Sequence, residues 1–549
     1  MNKIYKVIWS KTRNCYVAVA EFVKRSGKGS SLNCRHIAAA LGSKTAASLL
    51  TGQTVAAALL AASVVCGVPG MAMANSGGTL QANGDYIGDA PDYTVTIDEN
   101  VGNNAYGRHE TSASASDASI TVASGTIMTD VYGGYSAAGP SLGNTVTISG
   151  GTVTGTVYGG RGAGRTDSNT VRIEGGTVES DVFGGFGNWM TDENTVTISD
   201  GIVKGKVYGG RGREGAEYNT VRIEGGTIEN DVFGGTIGSG TVTDNGVEIS
   251  GGKVKGEVYG GKSGEGSATS NTVTISGGTV GDGTRVPGAF GSSANTNIYG
   301  GRGSYAASWN TVRIKGGTVL ADVFGGFAYS GDVTGNRVEI SGGTIGDANH
   351  SMNIYGGILS SNRLGSVTGN TVILSGGKVK GEVYGGRDFG GDGTVSGNKI
   401  ILRKEAGKNA PNLDNAILYG GFGGSVSDNT LQVEAAGLSA RAIYDFDNYK
   451  FVLPSDIKAG DTMLQLTGQD AGLEIDGSKV GVSLTKGTLA DIGLNLGESV
   501  TLLEKTGGSG SFAVTNPQQL PKLEDKLDGV GFTTMVGKTE PVEAKTKYA

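Results

Sequence analysis

Short runs of alternating hydrophobic and polar residues dominate the central part of this chain. In Thr145-Val146-Thr147-Ile148 the two apolar side chains fall on one face and the two threonines on the other, the period of a half-buried β-strand. Two shorter β-favouring pieces follow, Thr152-Val153 and Val157-Tyr158, with glycine or polar turns between them. Such runs are too short for helices. The trio then repeats. An aromatic followed by Gly-Gly recurs at Tyr132, Tyr158, Phe183, Tyr208, Phe233, Tyr259, Tyr299, Phe324, Tyr355, Tyr384 and Tyr419, in steps of 26, 25, 25, 25, 26, 40, 25, 31, 29 and 35 residues. Asparagine recurs in phase with it at Asn144, Asn169, Asn194, Asn219, Asn245, Asn271, Asn310, Asn336, Asn370, Asn398 and Asn429. Two anchors that keep phase over about 300 residues define a repeat architecture.

Three unequal strands per repeat do not suit a hairpin meander, which would place a repeat boundary at every second strand. They suit a chain that closes one coil and stacks on the next. The expected fold is all-β, a right-handed parallel β-helix solenoid of about 12 coils, each of about 25 residues with three short strands. At about 4.8 Å per coil the rod is on the order of 60 Å long. The longer steps become loops on it, at 260–298, 326–354, 357–383 and 386–418.

Stacking carries its own test in the charges. Glu179, Lys204, Glu229 and Lys255 fall in one column of alternating sign, and Asp181, Lys206 and Asp231 in a second, which Glu257 breaks with a like charge. Opposite pairs on adjacent strands contribute about 0.2–1 kcal/mol each and help to fix register. The asparagines, including Asn144, Asn169, Asn194 and Asn219, are expected to form a structural ladder of amide hydrogen bonds. Tyr158, Phe183, Tyr208 and Phe233 are expected to stack too, but their face stays open. A regular strand sends the adjacent Val157 and Tyr158 to opposite faces. With Val157 inward, the rings form an exposed ladder suited to sugar rings or a partner surface. With the Gly-Gly corner turning both inward, they are core; of the two, a buried or half-buried stack is expected.

Composition narrows the partner classes. The 549 residues include 100 Gly, 9 Pro and 3 Cys, with net charge −7. Glycine does not occupy every third position, so the chain is not collagenous. Cys15, Cys34 and Cys66 all precede residue 75, beyond which 36 basic residues (45 less 9) face 51 acidic ones (52 less 1). The body is therefore expected to hold no disulfide or thiolate metal site and, as a polyanion, to bind no nucleic acid.

The first 74 residues read as an address, an extended signal peptide. A basic n-region spans 1–44 and an apolar core 45–70. Ala72-Met73-Ala74 supplies the small-residue cleavage site, with cleavage after Ala74 and before Asn75. A membrane anchor is the other reading of about 20 apolar residues, but Gly52, Gln53 and Thr54 dilute the run and the cleavage triplet follows it. The n-region is much longer than an ordinary one. Asn2-Lys3, Tyr5-Lys6-Val7-Ile8-Trp9, and Val17-Ala18-Val19 followed by Glu21 and Lys24 resemble the extended signal peptide region of large Gram-negative type V secreted proteins, with Ala20 where that family usually has Ser. The resemblance implies export through the Sec translocon, then outer-membrane passage. It covers autotransporters, trimeric adhesins and two-partner exoproteins alike.

A stack of strands needs capped ends. Residues 75–118 are expected to form an N-terminal cap and first irregular coil, 119–437 the β-helix repeats, 438–515 a β-rich C-terminal cap, and 516–549 a polar tail. Tyr444–Gly468, continued through Ser499–Leu503, resembles the segment between passenger and barrel in some autotransporters. A membrane barrel needs at least eight strands of about ten residues, whereas 46 residues follow Leu503. An outer-membrane translocator is thus expected as a partner that this chain does not encode.

The search for chemistry returns little. Beyond residue 74 the histidines are His109 and His350, and neither H-E-x-x-H nor G-x-S-x-G occurs. Gly210–Gly215 matches G-x-G-x-x-G without the strand–helix context that phosphate binding needs. Gly390–Val395 has Val where calcium-binding nonapeptides need Asp. No catalytic, cofactor-binding or metal-binding residue is expected, and the chain is not expected to be an enzyme. The enzyme alternative, a β-helix polysaccharide lyase or hydrolase, rests on fold analogy, with Arg387, Asp388 and Asp392 as its best residues. Candidate ligand contacts are Arg161, Arg211, Arg302 and Arg387, a basic stripe after Gly-Gly, and Trp189 and Trp309 in the variable turns. The function expected by resemblance is a non-catalytic adhesin or biofilm component, secreted or on the surface of a Gram-negative bacterium, meeting a host glycan or protein. A truncated passenger held in the periplasm is the further alternative.

Overall fold

The computed structural model describes residues 5–10, 15–20, 75–282, 296–360, 365–485, 494, 498–516, 536–538 and 546–548. The chain forms two units, Met1–Met73 and Ala74–Ala549. In the first, Tyr5–Ser10 pairs antiparallel with Cys15–Ala20. Tyr5, Lys6 and Trp9 belong to that pair, while Asn2, Lys3, Glu21, Ala72 and Ala74 lie outside the described residues. In the second unit, Asn75 accepts hydrogen bonds from the backbone N–H groups of Asp98 (2.8 Å) and Glu99 (2.9 Å).

Each repeat coil of the second unit visits three sheets in turn. Val157–Gly162 lies in sheet 1, Thr166–Asp167 in sheet 2, and Thr170–Ile173 with Thr177–Val178 in sheet 3. Each strand pairs parallel and in register with its counterpart one coil on: Tyr158 with Phe183, Thr166 with Thr191, Val171 with Val196. This is a parallel β-helix. Sheet 2 has 12 strands among the described residues, from Ala115–Ser116 to Ser425–Ser427, the coil count read from the repeat. The long steps resolve into insertions between sheets 3 and 1, after Val280, Ile345 and Leu402, and between sheets 1 and 2, after Leu359 and Asp388.

The stack outlasts the repeat. Asn448–Leu453 pairs on Thr430–Val433, and Val480–Leu484 on Asn448–Leu453. Leu438–Tyr444, Thr462–Leu466 and Thr501–Lys505 likewise extend sheet 1. The spacing is lost because the chain passes from Tyr444 to Asn448 without a sheet-2 strand. Reversed strands close both ends of sheet 1, Gly78–Leu80 on Tyr86–Gly88 and Thr546–Tyr548 on Thr501–Lys505. A parallel edge that would accept another chain is thereby removed.

Val146, Ile148, Val153, Val157 and their counterparts fill one interior cluster that runs from Tyr86 to Leu503. Burying each such side chain contributes about 1.5–3 kcal/mol. The corner between sheets 2 and 3 explains the asparagines. The residue before each has a left-handed φ, as in Ser168 (55°), Glu193 (55°), Tyr218 (53°) and Asp244 (54°). That bend turns backbone polar groups away from the sheet ladders, and the buried asparagine satisfies them. The N–H and Nδ2 of Asn169 both donate to Asn194 Oδ1 (3.0 and 2.9 Å), and Nδ2 donates also to the Ser141 carbonyl (3.0 Å). The amide ladder continues without a break from Asn144 to Asn429. It ends where Asp447 accepts the Asn429 N–H at 2.9 Å.

The charge columns pair as their signs require. Lys204 lies 2.7 Å from Glu179, Lys206 lies 2.9 Å from Asp231, and Lys255 meets Glu229. Asp181 and Asp231 have a second task, accepting the backbone N–H of Lys206 (2.7 Å) and Glu257 (3.0 Å) from the next coil. Glu257 therefore brings its N–H to Asp231, while its carboxylate accepts from Asn297 Nδ2 (2.9 Å) and the Tyr259 hydroxyl.

Candidate functional site

In the sheet-1 strands Val157 enters the core, whereas Tyr158 stands on the outer face in a separate cluster. The rings are nonetheless buried or, as at Tyr158 and Tyr419, half-buried, the stack expected from the sequence, though they face outward and not into the core. From Tyr106 to Tyr419 they form one stack, with centroids 4.5–5.2 Å apart and planes within 14°. Tyr259, Tyr299 and Tyr355 have 0% exposure. Each ring's faces are covered by its neighbours, and its edges by two flanking columns. A Cβ at Gly159 would fall 2.5 Å from the Gly184 carbonyl oxygen, and one at Gly160 would strike the Asn169 side chain. Only glycine passes both places.

The first flanking column lies two residues before the ring. Tyr132 and Tyr384 donate their hydroxyl protons to Asp130 and Glu382 at 2.7 Å. Burial pushes the phenols of Tyr106, Tyr208 and Tyr419 up to about 12. The second column lies three residues after the ring and contains the four candidate arginines, which alternate in register with other residues: Arg161, Phe186, Arg211, Thr236, Lys262, Arg302, Phe327, Ile358, Arg387, Phe422. They do not make a stripe of open positive charge. The guanidinium carbon of Arg161 lies 5.2 Å from the Tyr158 centroid, that of Arg302 5.3 Å from Phe327, that of Arg387 4.9 Å from Tyr384 and that of Arg211 5.7 Å from Phe186. Such contacts are worth about 0.5–2 kcal/mol each. Arg302 is 7% exposed, Arg161 and Arg387 are half-buried, and Arg211 is exposed. Burial, then the Arg302 charge, lowers the Lys262 pKa.

Of the three residues singled out for the enzyme alternative, two make structural contacts. Arg387 covers rings, and buried Asp388 accepts the N–H groups of Gly390 (3.0 Å) and Gly393 (2.7 Å), which shapes its own loop. Asp392 is exposed. His350 Nδ1 lies 2.8 Å from Asp347, and His109 stacks on Tyr135 at 5.1 Å. Among the described residues no group of three or more His, Cys, Asp or Glu side chains is placed to hold a metal ion. A concavity of 1240 Å³ near the C-terminal coils is lined by charges of both signs, including Arg403, Lys404, Glu405, Glu434, Asp456 and Lys458.

Most of the exposed rings keep to one side of the coil. Trp189, Tyr305, Tyr329 and Phe389 lie at the corner between sheets 1 and 2, and Tyr218 and Trp309 at the corner between sheets 2 and 3, while Phe422 ends a sheet-1 strand beside the ring ladder. Trp189 and Trp309 are 61% and 64% exposed. Both were visible in the sequence; the other five were not, because a turn Tyr or Phe differs from a ladder ring only in its offset from Gly-Gly. Sheet 2, between these corners, changes character along the rod. Its outer column starts with Ser116 and Leu142 and then carries Asp167, Asp192 and Glu217, where Arg165 bridges Asp167 (3.1 Å) and Asp192 (3.0 Å). It continues as hydroxyls: Thr243, Thr269, Ser308, Thr334, Thr368, Ser396 and Ser427.

Residues 1–65 match the family model of the Extended Signal Peptide of Type V secretion system. The chain carries a type V export signal. Joined to stacked parallel strands, that signal gives the layout of an autotransporter-like passenger, and it is the kind of signal that directs export by the Sec route towards an outer-membrane translocator. No curated protein and no solved structure is significantly similar to the chain.

Proposed function

We propose that this type V export substrate works as a non-catalytic adhesin or biofilm component at the outer surface of a Gram-negative bacterium. The observation that carries the reading is the gathering of six of the seven exposed rings at the two corners flanking sheet 2, repeated along the rod. Aromatic side chains concentrate at binding surfaces, and repeated weak contacts along one molecule give avidity that no single pocket supplies. The charged side chains beside the ring ladder serve the ladder itself, which supports a binding role over a catalytic one.

The test is fractionation of the native organism with antibody against residues 75–549, followed by attachment assays with and without the gene. The expected result is protease-accessible product outside the outer membrane, and attachment that falls when the gene is deleted. Product confined to the periplasm would sink the surface reading. Release of unsaturated oligosaccharides by the purified chain would replace it with a lyase.

A further inference from the structure

At the corner between sheets 2 and 3 most coils carry an outward side chain, such as Glu193, Tyr218, Asp244 or Ser270. From Trp309 onward the same position reads Trp309, Gly335, Gly369, Gly397 and Asp428 in successive coils, all with left-handed φ. The bend does not demand glycine, since seven coils make it with another residue before the ladder asparagine. Three successive coils are therefore bare where their neighbours are covered.

Trp309 heads this bare stretch at φ 59° and 64% exposure, an unusual backbone state for a bulky residue. Its six-membered ring lies across Gly335, where a Cβ would fall 2.5 Å from Cε3 and 2.6 Å from Cζ3. One indole face rests on backbone and the other meets solvent. Further along, a Cβ at Gly369 would meet nothing within 4 Å, and one at Gly397 only the Gly369 nitrogen at 3.9 Å. The result is an open trough floored by backbone. From Trp309 to Asp428 it spans four coil steps, on the order of 19 Å. Thr334, Thr368 and Ser396 wall one side, with Thr334 Oγ1 3.3 Å from Thr368 Oγ1. Arg337, Thr371 and Lys399 wall the other, and Arg337 is held by Glu339 at 2.5 Å.

We propose that this trough binds a linear neutral polysaccharide lying along the rod, with one sugar ring stacked on the Trp309 indole and the next sugars hydrogen-bonded to Thr334, Thr368 and Ser396. The proposal rests on the adhesin reading and names its ligand class. Hydroxyl side chains donate and accept, as sugar hydroxyls do, and a flat indole offers an apolar surface to the C–H face of a pyranose. The charge pattern favours a neutral chain, because the charges along the trough balance. The carboxylates Asp167, Asp192 and Glu217 lie in other coils, Arg337 is paired with Glu339, and the single positive charge of Lys399 is matched by the negative charge of Asp428 one coil further on. Equally spaced hydroxyl rows suit a ligand that itself repeats.

Beyond residue 74 the tryptophans are Trp189 and Trp309, so in the chain from Asn75 onward the Trp189→Phe variant makes the emission report on the trough alone. Cellohexaose, maltohexaose, xylohexaose and, as the charged arm, hexagalacturonate are titrated into that variant. At least one neutral hexasaccharide is expected to give a saturable shift in emission. By calorimetry, Trp309→Ala should weaken that sugar at least tenfold. Gly369→Asn should do the same by filling the trough, with melting unchanged, because asparagine tolerates the left-handed bend and its Cβ meets no neighbour. Wild-type affinity in both variants would overturn the proposal, as would tighter binding of hexagalacturonate than of every neutral sugar. Gene-dependent attachment of cells with no hexasaccharide bound would overturn this ligand assignment and leave the adhesin reading standing. Sugar bound at the trough without gene-dependent attachment would support the site and sink the adhesin.

Discussion

Replacing Asn194 by alanine tests what holds the coils in register. Asn194 is fully buried. Its Nδ2 donates to Asn219 Oδ1 (2.9 Å) and to the carbonyls of Asp192 (2.9 Å) and Thr166 (3.1 Å), and its Oδ1 accepts from Asn169 N (3.0 Å) and Asn169 Nδ2 (2.9 Å). After truncation Asn169 Nδ2 keeps the Ser141 carbonyl, and Asn219 Oδ1 keeps the residue-194 N–H. The Asn169 N–H loses its acceptor, and two carbonyls lose a donor. One orphaned buried donor costs about 1–3 kcal/mol and each of the two further bonds about 0.5–1.5 kcal/mol, so the total is about 2–6 kcal/mol. Asp447→Ala, which removes a single acceptor from the end of the same ladder, should cost only about 1 kcal/mol. Urea titration followed by circular dichroism gives the midpoints, and hydrogen exchange at residues 166–169 and 192–195 shows whether the damage opens locally or spreads. An Asn194→Ala midpoint within about 1 kcal/mol of wild type would refute the idea that buried amides hold the left-handed corners, and would assign the register to the core alone.

Three further outcomes follow from the same geometry. Gly185→Ala should destabilise by about 1–3 kcal/mol or more, because its Cβ would strike the Asn194 side chain, whereas Gly481→Ala should be near neutral, its Cβ meeting nothing within 4 Å; thermal melts of the two variants check the contrast. Lys204→Glu sets three carboxylates in one exposed column with Glu179 and Glu229 and should cost at most about 1 kcal/mol, a loss that 1 M salt largely removes. Burial opposes ionisation of Glu339, but hydrogen bonds from Arg337 and Arg313 outweigh it and hold its carboxyl below the usual range. Its contribution is therefore present above the unfolded value of 4.5 and lost as pH falls through the folded one. Glu339→Gln should be less stable than wild type at pH 7 and equal to it at the acid end of a pH-resolved denaturation series.

Parallel in-register stacking made the strands, the coil count and the asparagine column legible, because it sets each residue over its equivalent one repeat away and so writes three-dimensional contacts as a sequence period. The same property hid what covers the aromatic face. Whether an outward ring is covered depends on the residue three places on, and that residue changes from Arg161 to Phe186, Arg211, Thr236 and Lys262 with no fixed type to reveal a common task. Asp181 and Asp231 were legible as charges but not as acceptors of the next coil's N–H, a role set by the corner and not by the pairing of signs. The coils after Leu438 keep stacking while dropping a sheet-2 strand, and the loss of a strand erases the period that made the earlier coils readable. Trp189 and Trp309 look equivalent as turn residues, yet Trp309 directly precedes the ladder residue Asn310, and that offset alone places it in the left-handed bend. This contrast locates where such a rod is free to acquire function. Core valines, ladder amides and ring stacks are each fixed by the coils above and below, so changing one costs stability in its neighbours. The position before the asparagine is held by its backbone and not by its side chain: Ser168, Glu193, Tyr218, Trp309 and Gly369 all occupy it. A surface position whose side chain makes no contact that the stack needs, within what a left-handed bend tolerates, is where binding specificity can vary while the fold stays the same.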